Sequence, residues 1–241
     1  MFSKFWQNCQ QKIVLNTETK DFSYPGLNIT STKVYEDNPN RRLAWGECLL
    51  RCLNKVETEI VLYLQDDYFI NAPVDVKQID EFVELMFKDG ISHISLVDFS
   101  NHGPWHPAKY PLLWEIDQKT AYRISLQAGL WRKDRLQFYL RKHENPWQFE
   151  VWGSKRAHRV KDSILCVNRD IFNQQNRQVI SYAPTGIIKG KWNKKAVYDL
   201  FLKNGIDMDF SRRGFYDPKR KENVKKAPLI TRITSRLRSA I

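Results

Sequence analysis

Two adjacent carboxylates that follow an apolar run are the residues of this chain best suited to chemistry. Residues 60–64 are apolar or aromatic throughout, and Asp66 and Asp67 come directly after Gln65. Such a run is typical of a strand covered on both faces, and in open α/β sheets the carboxyl end of a strand opens onto the ligand crevice. Two like charges repel there unless a cation lies beside them, and a divalent metal that carries a substrate phosphate meets that need. By itself the segment fits a metal site and a polar strand end equally well.

The elements around the carboxylate pair alternate between strand and helix. Helices are predicted over residues 42–56 and 75–88, where Asp75 has the residue type of an N-cap and Gly90 ends the second helix. Strands are predicted over residues 12–16, 27–30, 60–64 and 91–99. This order is typical of an α/β domain with a largely parallel sheet.

The second half of the chain predicts a long loop and then further elements. Residues 100–114 are rich in proline, histidine and tryptophan and predict an ordered loop, and loops of that length are usually functional. Residues 122–127 predict a strand that turns at Ala128 and Gly129 into a helix over residues 130–142. The remaining predicted elements are helices over residues 146–157 and 196–204 and strands over residues 164–168 and 179–183.

The formal net charge of +12 is unevenly distributed along the 241 residues. Residues 219–241 contain eight basic residues and one acid and account for +7 of it. The rest of the chain therefore gives little reason to expect a nucleic-acid partner. Four apolar residues of the same segment share a helix face: Leu229, Ile230, Ile233 and Leu237. A basic amphipathic segment suits an anionic membrane surface, and a solvated, frayed terminus fits the same pattern.

Composition also bounds the organisation of the chain and where it works. We expect one domain over residues 1–216 and a basic amphipathic C-terminal tail over residues 217–241. No stretch reaches the apolar length of a membrane span, and the first residues lack the basic region and apolar core of a signal peptide. We therefore expect a cytoplasmic protein in peripheral contact with the inner membrane face. Four scattered cysteines are expected to be free thiols: Cys9, Cys48, Cys52 and Cys166.

Two later segments complete an order of motifs. Residues 127–132 are Gln-Ala-Gly-Leu-Trp-Arg and residues 145–150 are Asn-Pro-Trp-Gln-Phe-Glu, and both follow the aspartate pair. Over residues 5–216 this order resembles that of the GT-A glycosyltransferases, specifically the family 2-like bacterial surface-polysaccharide enzymes. The resemblance implies a single-domain GT-A fold, with a mixed, mainly parallel sheet flanked by helices.

The resemblance also implies roles for individual residues. Asp66 and Asp67 would bind Mg²⁺ or Mn²⁺, which neutralises the diphosphate leaving group of a nucleotide-sugar donor. Glu150, the carboxylate at a helix start, would be the general base that takes the proton from the hydroxyl of a glycan or lipid-linked acceptor in an inverting transfer. The aromatic residues beside Glu150 favour a raised pKa of its carboxyl and can stack on sugar rings. The alternative is a Glu150 on the exposed side of a helix whose tryptophans are core.

Further residues are candidates for substrate contacts. Trp131 and Arg132 follow Gly129 and suit an acceptor site or a diphosphate, although packing and solubility explain the same residue types. The predicted substrate-binding set is Gln65, Gly129, Trp131, Arg132, Trp147 and Trp105. Weaker candidates, for which a solvated surface is the simpler explanation, are Arg41, Arg42, His102, His106, Lys155, Arg156 and His158.

The chain departs from the family pattern near its start. The family opens with an apolar strand and a Pro-x-Tyr-Asn-like turn that hold the nucleotide base, whereas Met1 falls within what corresponds to the end of the first helix. We therefore expect the first strand and part of the first helix to be missing, through a fragment, a late start site, a partner subunit or degeneration of the enzyme. Gln65 also stands where a third acid is frequent. The alternative function is a non-catalytic, transferase-like protein that binds glycan or serves as a partner subunit.

Overall fold

The computed structural model of the protein describes residues 1–37, 42–219 and 229–240. Within these ranges the helices are α1 (Phe2–Phe5), α2 (Trp45–Leu53), α3 (Val76–Asp89), α4 (Lys133–Tyr139), α5 (Pro146–Ala157), α6 (Lys194–Lys203) and α7 (Leu229–Ala240), with a 3₁₀ turn at Phe210–Arg212. The strands are β1 (Ile13–Leu15), β2 (Ile29–Ser31), β3 (Ile60–Tyr63), β4 (Phe69–Ile70), β5 (His93–Ser95), β6 (Trp105–Pro107), β7 (Leu113–Ile116), β8 (Gly129–Arg132), β9 (Ile164–Val167), β10 (Tyr182–Ala183), β11 (Ile187–Ile188) and β12 (Lys191–Trp192).

A mixed six-stranded sheet forms the centre of the fold, in the order β3–β8–β5–β9–β7–β6. The pair β5–β9 is parallel, and the other four pairs are antiparallel. The predicted mixed α/β architecture, a central sheet flanked by helices, is confirmed, whereas the prediction of a mainly parallel sheet is wrong. β3 and β5 run in the same direction, but β8 lies antiparallel between them and so creates two antiparallel pairings.

Alternate side chains of β3 pack into two hydrophobic clusters, one on each face of the sheet. Ile60 and Leu62 contact the cluster to which α3 contributes, and Val61 and Tyr63 contact the cluster formed with α4 and α5. The predicted strand covered on both faces is therefore confirmed. A third cluster around Trp192 joins β12 to α6.

The helices that flank the site begin where the sequence predicts. The side chain of Asp75 caps α3, and Gly90 ends it in the left-handed conformation at φ 63°. α5 begins at Pro146 behind a capping box, in which Asn145 accepts from the backbone of Gln148 and the Gln148 side chain accepts from the backbone of Asn145. Both helices thus start at a defined residue, which fixes the register of the side chains that they present.

The segment over residues 122–127 forms no strand, contrary to the sequence prediction. Its alternating apolar residues point into the core, but its backbone bonds to α5 instead of to a neighbouring strand. The Ile124 amide donates to Ser154 Oγ at 3.0 Å, and the Leu126 amide donates to Glu150 Oε1 at 2.9 Å. Side chains of α5 thus replace a neighbouring strand as hydrogen-bond partners.

Two further segments differ from their predicted structure. Gly129–Arg132 is a strand where the sequence predicts the start of a helix, and α4 begins only at Lys133. The predicted loop over residues 100–114 contains β6, which pairs with β7 as an antiparallel hairpin at the far edge of the sheet.

The strands β1 and β2 pair in a parallel two-stranded sheet of their own. Within the described ranges no backbone hydrogen bond joins β1 to β3. β3 therefore forms one edge of the six-stranded sheet, although both of its faces are packed.

The C-terminal helix α7 packs against α5 beside a buried ion pair, and Arg156 of that pair also bonds α7. Arg156 Nη1 and Nη2 lie 2.9 and 2.7 Å from the two carboxylate oxygens of Glu144, and Nη1 also donates to the Ser239 carbonyl at 2.7 Å. The predicted tail thus includes a helix held against the domain, while its residues 220–228 lie outside the described part of the chain. Among the helices that the structure describes, none combines the length and apolar character needed to cross a bilayer.

Candidate active site

The candidate site lies at the end of the central sheet where the carboxyl terminus of β3 is found. β9 runs parallel to β5, and β3 has the same direction, so the carboxyl ends of all three strands lie at this end of the sheet. β8 enters the sheet at the same place, because Tyr63 and Ser95 are both register partners of Gly129. The turn with Asp66 and Asp67 therefore faces the segment that leads into β8.

Asp67 is the better fixed of the two aspartates. Its Oδ2 accepts a hydrogen bond from the Ile187 amide at 3.2 Å, and Asp66 beside it is exposed. Burial raises the pKa of Asp67, the Ile187 amide opposes that rise, and the charge of Asp66 adds to it. Gly186 lets the loop approach, because a Cβ there would lie 2.8 Å from the Asp67 carbonyl.

Glu150, on α5, lies at the same end of the sheet. Its Oε1 accepts from the Leu126 amide at 2.9 Å and from Ser125 Oγ at 3.3 Å. Burial raises the pKa of the Glu150 carboxyl, and these two donors partly offset the rise. Oε2 has no hydrogen-bond partner in the described part of the chain, so one oxygen of an oriented carboxylate is available to a ligand.

Tyrosines lie between the aspartate turn and Glu150. Tyr68 donates from its hydroxyl to the Leu126 carbonyl at 3.1 Å and stacks on Tyr182 with ring centroids 4.4 Å apart. Tyr182 in turn donates to Gln127 Oε1 at 2.8 Å. Because the Leu126 amide holds Glu150, the backbone of a single residue links Tyr68, next to the aspartates, to the second carboxylate.

Tyr63, at the end of β3, carries a phenol whose pKa responds to the carboxylates of the site. Burial raises its pKa, and three carboxylates raise it further: Asp66, Glu150 and Asp67. Two elements that are more than 80 positions apart in sequence thus bring their acids within electrostatic reach of one ring.

The donor set at Asp66 and Asp67 fits a hard divalent cation. Mg²⁺ and related ions are usually held by one or two carboxylates, and they share the remaining positions with water and substrate phosphates. Across the described residues, no group of three or more His, Cys, Asp or Glu side chains is placed to hold a metal ion by itself. The pair would therefore bind a cation together with a ligand that brings its own oxygens.

Two of the predicted substrate-binding residues lie in the core. Trp131 is fully buried and stacks on His93 at a centroid distance of 3.8 Å. Gly129 is needed for packing, since a Cβ there would lie 2.6 Å from His93 Cε1. Both residues are buried and neither presents a surface to solvent. The Gly-Trp segment therefore contributes to the site by positioning the residues that precede it.

The other predicted substrate-binding residues are scattered. Gln65 opens the aspartate turn, in which its carbonyl accepts from the Tyr68 amide at 3.2 Å, and Trp147 is 75% exposed at the start of α5, one turn before Glu150. Arg132 lies at the opposite end of the sheet, where it pairs in register with Ile60. Trp105 lies on β6 under the guanidinium of Arg169, 4.0 Å from its ring centroid. The fold thus brings Gln65 and Trp147 near the carboxylates and places Arg132 and Trp105 elsewhere.

The weaker candidates have local partners instead of a common site. His158 bonds the Thr120 carbonyl at 3.0 Å, and Lys155 lies 4.1 Å from the ring centroid of Trp152. The other described members are Arg42, which is exposed; His102, which contacts the ring of Tyr122; His106, which lies beside Asp117; and Arg156, which is buried with Glu144. Arg41 lies outside the described residues.

Sequence reasoning missed several residues of the site. Tyr68 directly follows the aspartate pair, so its closeness in sequence could have suggested a role in the site. Tyr182 and the Ile187 amide come from the segment after β9, and nothing in their local pattern indicates that they reach Gln127 or Asp67. Comparison with protein-family models, curated proteins and solved structures found no match to this chain.

Proposed function

We propose that the protein is a metal-dependent, inverting glycosyltransferase that moves a sugar from a nucleotide-sugar donor to a glycan or lipid-linked acceptor. The observation that supports the proposal most is the link through Leu126, whose carbonyl accepts from Tyr68, next to Asp67, and whose amide donates to Glu150. A transfer of this kind requires positive charge at the leaving diphosphate and a separate base at the acceptor. The two sets of acids on separate elements meet that requirement.

The aspartates would serve the donor side. Asp66 and Asp67 would hold Mg²⁺ or Mn²⁺, and the bound ion supplies the positive charge that stabilises the leaving nucleoside diphosphate. The Ile187 amide donates to Asp67 Oδ2 and so restricts the orientation of this carboxylate. Exposed Asp66 leaves room for the oxygens of a phosphate group.

Glu150 would serve the acceptor side. Leu126 and Ser125 hold Oε1, so Oε2 is the atom that accepts the proton of the attacking hydroxyl. The raised pKa of the Glu150 carboxyl increases its basicity towards that hydroxyl. Trp147, exposed one turn earlier on the same helix, offers a face on which an acceptor sugar can stack.

The acceptor would be met at the cytoplasmic face of a membrane. Arg236, Leu237 and Arg238 are exposed on α7, which is a combination suited to anionic headgroups. This contact would hold the protein at the membrane surface and would play no part in the sugar transfer.

One observation favours a second candidate function. β3 is packed on both faces yet forms the edge of its sheet, and a donor-side strand supplied by another chain would complete it. In that case the chain is a non-catalytic partner or glycan-binding subunit. Glycan binding without turnover of any nucleotide sugar distinguishes this candidate from the enzyme.

The test measures thermal stability with Mn²⁺ and a panel of nucleoside diphosphates. We expect Mn²⁺ to enlarge the rise in melting temperature that one nucleotide produces, because the metal and the diphosphate share the site. Asp67→Asn should abolish the part of the rise that depends on Mn²⁺. Asp134→Asn, an exposed aspartate near the far end of β8, is the matched control and should leave it intact. A rise that Mn²⁺ does not enlarge, or a Mn²⁺-dependent part that is equal in both variants, would contradict the proposal.

A further inference from the structure

A groove of about 540 Å³ lies between the β11–β12 hairpin and the start of α6. Lys194 and Lys195 line it from α6, and Tyr198 and Tyr216 contribute aromatic walls. Its volume falls in the range of small-ligand sites, roughly 300–1,000 Å³. None of the sequence motifs discussed above includes these residues, and the proposed chemistry at Asp67 and Glu150 does not use them.

The cations of the groove are held by aromatic rings and not by carboxylates. Lys194 Nζ lies 5.2 Å from the ring centroid of Tyr198 and 5.5 Å from that of Phe215. Lys189 approaches Tyr216 from the hairpin, with its Nζ 5.9 Å from the ring centroid. In the described ranges no salt bridge engages any of these lysines.

The charge balance of the groove therefore favours an anion. Lys194, Lys195 and the neighbouring Lys189 face a single lining acid, Asp199. Lysine binds phosphate as a point charge, and several lysines around one cavity suit a group with more than one negative charge.

The groove shares a wall with the aspartate turn. Ile188 lines the groove, and the amide of the preceding Ile187 donates to Asp67 Oδ2 at 3.2 Å. Asn193, also in the lining, donates from its side chain to the Thr185 carbonyl at 3.0 Å and from its backbone to the Gly186 carbonyl at 2.9 Å. The loop over residues 185–187 thus lies between the groove and Asp67.

We propose that this groove binds the diphosphate group of an organic diphosphate, with the lysines on the phosphates and the tyrosine rings against the organic part. The identity of that ligand as a substrate rests on the proposed function, whereas the binding itself requires no metal. A nucleoside diphosphate and a polyprenyl diphosphate share this chemistry. They correspond to the donor and to a lipid-linked acceptor.

The test is calorimetric titration of the full chain in EDTA with pyrophosphate, uridine diphosphate, guanosine diphosphate and farnesyl diphosphate. The double variant Lys194→Ala/Lys195→Ala should weaken binding of at least one organic diphosphate by about tenfold or more, the equivalent of about 1.4 kcal/mol. Lys194→Arg/Lys195→Arg, which keeps the charge, should retain most of the affinity. Preference for the nucleotides identifies a donor site, and preference for farnesyl diphosphate identifies an acceptor site.

The control removes the same charge elsewhere. Lys20→Ala/Lys203→Ala changes two exposed lysines outside the groove and should leave the affinity unchanged. Equal weakening in the two alanine pairs, or no binding of any organic diphosphate by the wild type, overturns the proposal. Asp67→Asn should still bind the organic diphosphate in the absence of metal. Failure of the Mn²⁺ experiment at the aspartates and failure of binding in the groove can therefore be told apart.

Discussion

Leu126 connects the two halves of the candidate site through its own peptide groups. Its carbonyl accepts from the hydroxyl of Tyr68, next to the aspartates, and its amide donates to Glu150. The position of the second carboxylate relative to the first thus depends on backbone atoms, which any residue type at position 126 can provide. This is why the sequence pattern identifies the acids and does not identify the residues that orient them.

At the same scale, the raised pKa of Glu150 predicts how stability depends on pH. A carboxyl whose folded-state pKa lies above its unfolded value of 4.5 contributes stability below that pH, and the contribution is lost as the pH rises through the folded-state pKa. Glu150→Gln retains an oxygen for the Leu126 amide and carries no charge. We therefore expect the stability of the variant relative to wild type to improve as the pH rises from about 4 to about 7.

Urea unfolding across this pH range measures the difference for Glu150→Gln. Glu57→Gln, at a carboxylate that is 85% exposed, is the control and should show no comparable gain. A wild type that gains stability over Glu150→Gln as the pH rises would mean that the carboxylate is stabilised in the fold, contrary to the burial seen here.

At the scale of elements, the ends of helices were predicted better than the identity of short strands. The capping residues Asp75 and Asn145 act locally, so their signal is present in the sequence. The four residues of β8 are apolar enough for a buried strand or a helix start, and their pairing with β3 and β5 depends on residues far away in the chain. Residues 122–127 alternate like a strand, yet their amides bond to Ser154 and Glu150. The capping residues were therefore predictable from the sequence, whereas the hydrogen bonds that link Tyr68 to Glu150 through Leu126 were not.

The docking of α7 on α5 leads to a prediction about Arg156. Its guanidinium is 5% exposed and bonds Glu144, which is fully buried, as well as the Ser239 carbonyl of α7. Arg156→Ala leaves the Glu144 carboxylate buried without its cation, which should lower the free energy of unfolding by about 3–5 kcal/mol.

The measurement for Arg156→Ala is urea unfolding at neutral pH. Arg159→Ala removes an exposed arginine that donates to the neighbouring Ala240 carbonyl at 3.0 Å, and it should cost about 1 kcal/mol or less. Similar losses in the free energy of unfolding for the two variants would show that the buried ion pair contributes no more to stability than an exposed hydrogen bond.

At the scale of the whole molecule, the sheet joins two hydrophobic clusters through β5, and a histidine lies at that junction. His93 is fully buried, with Nδ1 2.8 Å from the Leu130 carbonyl and Nε2 3.0 Å from Ser95 Oγ. A carbonyl can only accept, so Nδ1 carries the proton and Nε2 accepts from Ser95 in the neutral ring. Desolvation is the main cause that lowers the pKa of His93 to about 3.

This buried histidine should make the whole fold sensitive to acid. The unfolded chain takes up a proton at the ordinary pKa of 6.5, whereas the folded chain does so only near 3, so stability is full above 6.5 and falls as the pH drops between those values. The slope for one proton is about 1.4 kcal/mol per pH unit, and urea unfolding from about pH 7 to about pH 5 measures it. The assigned Cε1 proton signal of His93 should stay in place over the same range. A His93 signal that titrates near its ordinary pKa in the folded protein would show that the ring is not held neutral between the two clusters.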